Sequence, residues 1–138
     1  MAMTFERIFN PTPLRRLWKR LFPSKEMRVY RRMHRKHKRE LMKLAKKVHE
    51  WDYGWIDELV LTQIKHMYEY FSASNNVWQT DETRLPIVEQ LKHVIDLYEE
   101  LDGLWGKNKD YMDSLKRERE LYEEIYSYVG CHIKEWWD

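Results

Sequence analysis

Apolar residues recur along this chain with helical spacing, and no stretch alternates in the manner of a strand. Leu14, Leu17, Trp18, Leu21 and Phe22 fall on one stripe, while Arg15, Arg16, Lys19 and Arg20 face away from it. Thr12 as cap, Pro13 at the first helical position and Pro23 as stop frame a short basic amphipathic helix. Ser24 is placed to cap the next helix, predicted over 25–50. Along it Met27, Tyr30, His34, His37, Leu41, Leu44, Val48 and Trp51 follow at alternating steps of three and four, a heptad-like seam.

The pattern continues to the C-terminus. Gly54 predicts a break, and Asp57 and Glu58 suit the first turn of a helix over 55–72 whose stripe is Ile56, Val60, Ile64, Met67 and Phe71. "SASNN" at 72–76 reads as a loop. A helix over 81–104 tolerates Pro86 in its first turn and carries Val88, Leu91, Ile95, Tyr98 and Leu101. The last helix, over 108–137, turns Leu115, Tyr122, Ile125, Val129, His132 and Trp136 inward. The expectation is an all-α fold: an N-terminal arm over 1–24, then an antiparallel bundle of about four long helices over 25–138.

Composition fits that picture. The chain has 138 residues, four Gly and four Pro, enough for one domain with its own core. Its single cysteine, Cys131, excludes an internal disulfide framework, suits a reducing cytoplasm and reads as a buried, inert thiol. No apolar run approaches the roughly 20 residues a membrane span needs, and the start lacks the apolar segment of a secretory signal.

Charge changes the picture. The net charge of +2 conceals a division: 1–47 hold 16 Lys or Arg against Glu6, Glu26 and Glu40, whereas 48–138 hold 9 against 20 acids. Ten of the basic residues, Arg28, Arg31, Arg32, Arg35, Lys36, Lys38, Arg39, Lys43, Lys46 and Lys47, share one predicted helix with Glu40. Like charges three and four apart cost a few tenths of a kcal/mol per pair, so something must offset them. One reading is a solvated face, or one neutralised by the acidic remainder in cis or in another copy. Another is a nucleic acid, met through phosphate contacts without sequence selectivity, since no helix-turn-helix, zinc finger or stacking platform is present. A third is an anionic membrane surface, with the stripe Leu14, Leu17, Trp18, Leu21 and Phe22 inserted or else packed on a partner.

Candidate chemistry is sparse. His66 with Glu69, His93 with Glu89 and Asp96, and His132 with Glu135 place acids one turn from histidines, as di-metal bundles do, but each departs from the Glu-x-x-His order. Lone histidines hydrogen-bonded in or near a core are the simpler account, and no cofactor is expected. His34 and His37 lie among cations that oppose a metal ion. Cys131 and His132 are neighbours that point apart on a helix, which implies no thiol–imidazole pair. "LYEELD" and "ERELYEE" resemble the acidic motifs of all-helical nucleotide pyrophosphohydrolases without their full spacing, and no Gly-rich phosphate loop occurs. Among the aromatics, Trp55 and Trp105 are expected in the core, and one of Trp136 and Trp137 at an interface.

The segments "HEWDYGWIDELVLTQIKHMYEYF", "NNVWQTDETR" and "EIYSYVGCHIKEWWD" resemble small uncharacterised helical proteins of tailed bacteriophages, over 49–138. The resemblance implies a product made in a bacterial host's cytoplasm, virion incorporation included, that acts by binding: on DNA packaging, on a host protein or on nucleotide signals. The sequence thus leads to a non-enzymatic, self-associating helical protein whose basic third meets an anionic partner. Arg31, Arg32, Arg35, Lys36, Lys38 and Arg39 are the expected clamps on phosphate or carboxylate. The alternatives are a peripheral membrane protein anchored by 13–22 and a metal-dependent enzyme acting on nucleotides.

Overall fold

The computed structural model describes residues 13–47, 53–73, 80–106 and 110–136, and among these every regular element is helical. The elements are α1 (Pro13–Leu21), α2 (Lys25–Ala45), α3 (Tyr53–Ser72), α4 (Asp81–Gly103) and α5 (Tyr111–His132), closed by a 3₁₀ turn at Ile133–Trp136. The cap at Thr12, the seam positions Val48 and Trp51, and the start at Asn108 lie outside the described residues.

Local chemistry explains the ends. Ser24 accepts the Met27 amide at 3.2 Å and starts α2, and Asp110 accepts the Met112 amide at 3.0 Å to start α5. Gly54 marks no break, because α3 already runs through it from Tyr53. Pro86 lies beyond the first turn of α4, where it is exposed and leaves the Glu82 carbonyl without its helical donor.

Packing is shared among three helices. Ile64 and Phe71 of α3, Ile87, Leu91, Val94, Ile95, Leu97 and Tyr98 of α4, and Leu121 and Ile125 of α5 form one core with Trp136. Leu91, Val94, Leu121 and Ile125 are wholly buried. Helix α2 packs on α3, on the side away from that core, and Leu44 is its one buried residue.

Trp136 turns inward as its stripe position predicts and so is not the tryptophan left for an interface: it is 3 % exposed in its own chain, and its indole N–H donates to Gln90 Oε1 at 2.7 Å. The Gln90 amide in turn donates to Glu135 at 2.9 Å, so one side chain clasps the C-terminal turn to α4. Trp137 lies outside the described residues. Other expectations also shift. Ile56 and Trp105 are about half exposed, and Cys131 is exposed rather than buried.

Asp57 does not serve the first turn of a helix. Its carboxylate accepts hydrogen bonds from Tyr98 at 2.8 Å, Tyr126 at 3.0 Å and Tyr122 at 3.2 Å, tying α3 to α4 and α5. Burial and the adjacent carboxylate push the Tyr98 hydroxyl far up, and Tyr122 up to about 12.

Two outcomes follow from this packing. Leu121→Ala should cost about 2–5 kcal/mol in denaturant unfolding, whereas Trp105→Ala should stay near 0.5 kcal/mol or below. An equal cost for the two would contradict the core as drawn. For the tyrosines, the folded state favours the neutral phenol, so their contribution is complete below the ordinary value of 10.0 and declines as pH rises above it. Ultraviolet titration should show these three ionising after the exposed tyrosines, and Asp57→Asn should bring them earlier.

Candidate functional site

Because α2 uses one side against α3, its remaining sides are left to its cations. At 100° per residue, Arg28, Arg35 and Arg39, continued by Lys46 at the C-cap just past Ala45, lie opposite the α3 contact, with Arg31 and Lys38 on one flank and Arg32 and Lys43 on the other. All eight are exposed. Arg35, Lys38, Arg39, Lys43 and Lys46 ring a shallow depression of about 440 Å³ around the half-exposed Met42. The 21 residues of α2 extend about 31 Å, so this is a rod with one long cationic face.

Few of these charges are answered within the chain. Lys36 bonds both oxygens of Glu69, at 3.1 and 3.0 Å. Arg35 Nε donates to the Arg31 carbonyl and Arg31 Nη1 to the Arg20 carbonyl, which are backbone partners without net charge. No other lysine or arginine of α2 makes an ion pair with a described acid of another helix. The described acids of the chain therefore form no ion pair with the outer face of α2.

The inner face of α2 shows why. Tyr30 meets Tyr70 edge-on, with centroids 5.9 Å apart, and His37 stacks on His66 at 4.0 Å with planes 7° apart. Each imidazole also reaches a carboxylate across the contact: His66 Nε2 lies 2.6 Å from Glu40, and His37 Nε2 lies 3.0 Å from Glu69. The sequence expectation paired His66 with Glu69 along one helix; the structure crosses the partners between helices. His66 is 6 % exposed and its Nδ1 has no partner, so in the neutral ring Nε2 carries the hydrogen and donates to Glu40. A bare acceptor is the cheaper group to bury. The hydrogen bond from His37, then the Lys36 ammonium, holds the Glu69 carboxyl below its ordinary value.

The remaining metal candidates are dispersed. His93 faces Glu124 at 3.9 Å rather than Glu89, and Asp96 pairs with Lys92. His132 does meet Glu135, at 3.1 Å, but Glu135 is committed to the Gln90 clasp, and its carboxyl is lowered by His132 and Gln90. Among the described residues no group of three His, Cys, Asp or Glu is placed to hold a metal ion. His34 is exposed beside Tyr30.

Sequence reasoning missed two groups. Glu40, the lone acid in the basic run, gave a signal: it falls one residue before Leu41 of the seam, where a charge must meet a partner across the contact. The Asp57–tyrosine cluster gave none, since its members are far apart in the chain. The chain matches no family model, no curated protein and no solved structure.

The geometry around Glu69 sets a pH dependence. Its carboxyl is lowered on folding, so its contribution is present above the ordinary value of 4.5 and is lost as pH falls through the lowered one. The denaturation midpoint should fall over that acid window, and more steeply than in Glu69→Gln, which lacks the titrating group. Parallel pH profiles for the two proteins would contradict the assignment.

Proposed function

We propose that this protein is a non-enzymatic binding protein that holds a polyanion, most naturally a nucleic acid backbone, along the outer face of α2. One observation carries the reading: eight exposed cations share a straight face and form no ion pair with a described acid, although the rest of the sequence is acidic. Phosphates along a nucleic acid supply the missing negative charge, and releasing their counterions drives the association. A guanidinium suits a phosphate through paired N–H donors, and Arg28, Arg31, Arg32, Arg35 and Arg39 supply such groups along the first two thirds of the rod. The face has an apolar patch at Met42 but no array of exposed aromatics, so backbone contact without sequence readout is the fitting mode.

In this reading the acidic part is a carrier, an antiparallel bundle that presents the rod. Its antiparallel order is supported by contacts that descend α3 as they ascend α2: Tyr30 with Tyr70, His37 with Glu69 and Glu40 with His66. The resemblance of 49–138 to tailed-phage proteins supports the bacterial host's cytoplasm as the setting. No helix of the described residues is long and apolar enough to cross a membrane.

The test is binding to labelled duplex DNA across a salt series. Log K should fall linearly with log salt, by about 0.9 per phosphate neutralised, and equally for unrelated sequences. Replacing Arg28, Arg35, Arg39 and Lys46 together by Gln should flatten that slope by about 0.9 for each contact removed. Undiminished binding by this variant, or no binding by the parent at low salt, would overturn the reading.

A further inference from the structure

Helix α1 ends in an unsolved surface. Leu14 and Trp18 are 79 % and 65 % exposed, and Leu17, Leu21 and Phe22 are more than half exposed. Trp18 and Phe22 touch only each other among the described rings, at 4.5 Å. The sequence of α1 contains four cations and no acid. An apolar stripe on a cationic helix needs an occupant that is apolar in the middle and acidic at the rim.

The same chain contains such a surface elsewhere. A cleft of about 510 Å³ opens beside the Asp57–tyrosine cluster, between α3, α4 and α5. Leu61, Ile95, Leu101 and the half-exposed Trp105 give it an apolar lining. Glu99, Asp102 and Glu118 stand around it without an ion pair to any described residue, and Lys65 is the one cation among its lining. Its sign is opposite to that of α1, and its size admits one or two aromatic side chains.

The two cannot meet within one chain. Only Phe22–Ser24 separate α1 from α2, and Arg31 Nη1 holds the Arg20 carbonyl at 3.4 Å. That anchors α1 beyond the Tyr70 end of α3, because Tyr30 is the α2 residue that meets Tyr70. Leu61 lies nine residues down α3 from Tyr70, about 14 Å at the helical rise. It also lies on the opposite side: His66 and Tyr70 face α2, whereas Asp57 and Leu61 face the cleft.

We propose that α1 of one copy docks into the acidic cleft of another, with Trp18 and Phe22 as anchors and Arg16 and Arg20 facing Glu99, Asp102 and Glu118. This interface goes beyond polyanion binding and does not depend on it. It joins two different surfaces, so it closes as a reciprocal pair or propagates from head to tail.

Sedimentation equilibrium of the full chain over a concentration series tests it, with circular dichroism checking that each variant is folded. The parent should self-associate. Trp18→Ser with Phe22→Ser should raise the dissociation constant at least tenfold. Arg16→Glu with Arg20→Glu, and separately Glu99→Lys with Asp102→Lys, should each do the same, while an equimolar mixture of these two charge variants should associate again. A parent that stays monomeric, or variants that associate as the parent does, would overturn the interface. So would vesicles of anionic lipid capturing a chain whose self-association ignores these substitutions, which would give α1 to a membrane surface instead.

Discussion

The stacked pair His37–His66, with Glu40 and Glu69 at its two ends, is the contact on which the placement of the charged helix depends. Helix α2 has little else to hold it: one buried leucine, Leu44, and an edge-on meeting of Tyr30 with Tyr70. A rod bearing so many like charges resists docking on anything apolar, because every stem lost to a core brings a charged head with it. Two imidazoles and two carboxylates solve this with polar groups that pair across the contact, only the His66 Nδ1 acceptor being left without a partner. Their partners are crossed between helices, so the contact fixes both the register of α2 and its rotation. Rotation is what matters to the proposed function, since it decides which cations look outward.

The opposite charge of the two parts of the chain invites the idea that each neutralises the other, and the geometry explains why it happens so little. Glu69 takes Lys36, while Asp57 is occupied by three tyrosines and Glu135 by His132 and Gln90. Glu100 and Glu120 are engaged by Arg117 of their own bundle. Of the described acids at the α2 contact, Glu40 and Glu69 are used in fixing it, and Glu58 shares their groove with Lys43 and Lys47 without forming an ion pair. Cationic and acidic surfaces stay separated on one molecule, each available to a second body.

How much of this was legible follows from what periodicity encodes. The stripe Leu91, Ile95, Tyr98 of α4 and the pair Ile64, Phe71 of α3 were readable because burial repeats at 3.6 residues, and the structure buries them. Leu121 was passed over in favour of its neighbour Tyr122, since a single stripe cannot describe a helix that meets two others. The α2 seam was readable as a face, but its content was not: His37 and His66 come from separate helices, and spacing within one helix says nothing of a pair across two. Trp136 was read as inward from its place on the last helix's stripe, but its partner was not legible. That partner is Gln90, 46 residues away in sequence.

The separation of surfaces bears on how a sequence-blind contact gains strength. On the proposed function, a single rod about 31 Å long would meet only a short run of phosphates, and salt at physiological strength would erode such a contact quickly. Affinity without specificity grows by repetition, because a second rod tethered beside the first binds at a raised effective concentration. Repetition needs an assembly surface that does not consume the binding face. Helix α1 and the acidic cleft meet that requirement: neither includes the outer cations of α2, and each is barred from the other within its own chain. In the proposed assembly, joining copies through them would neutralise α1 against acid while leaving every α2 face open, so growth would add cationic rods rather than hide them.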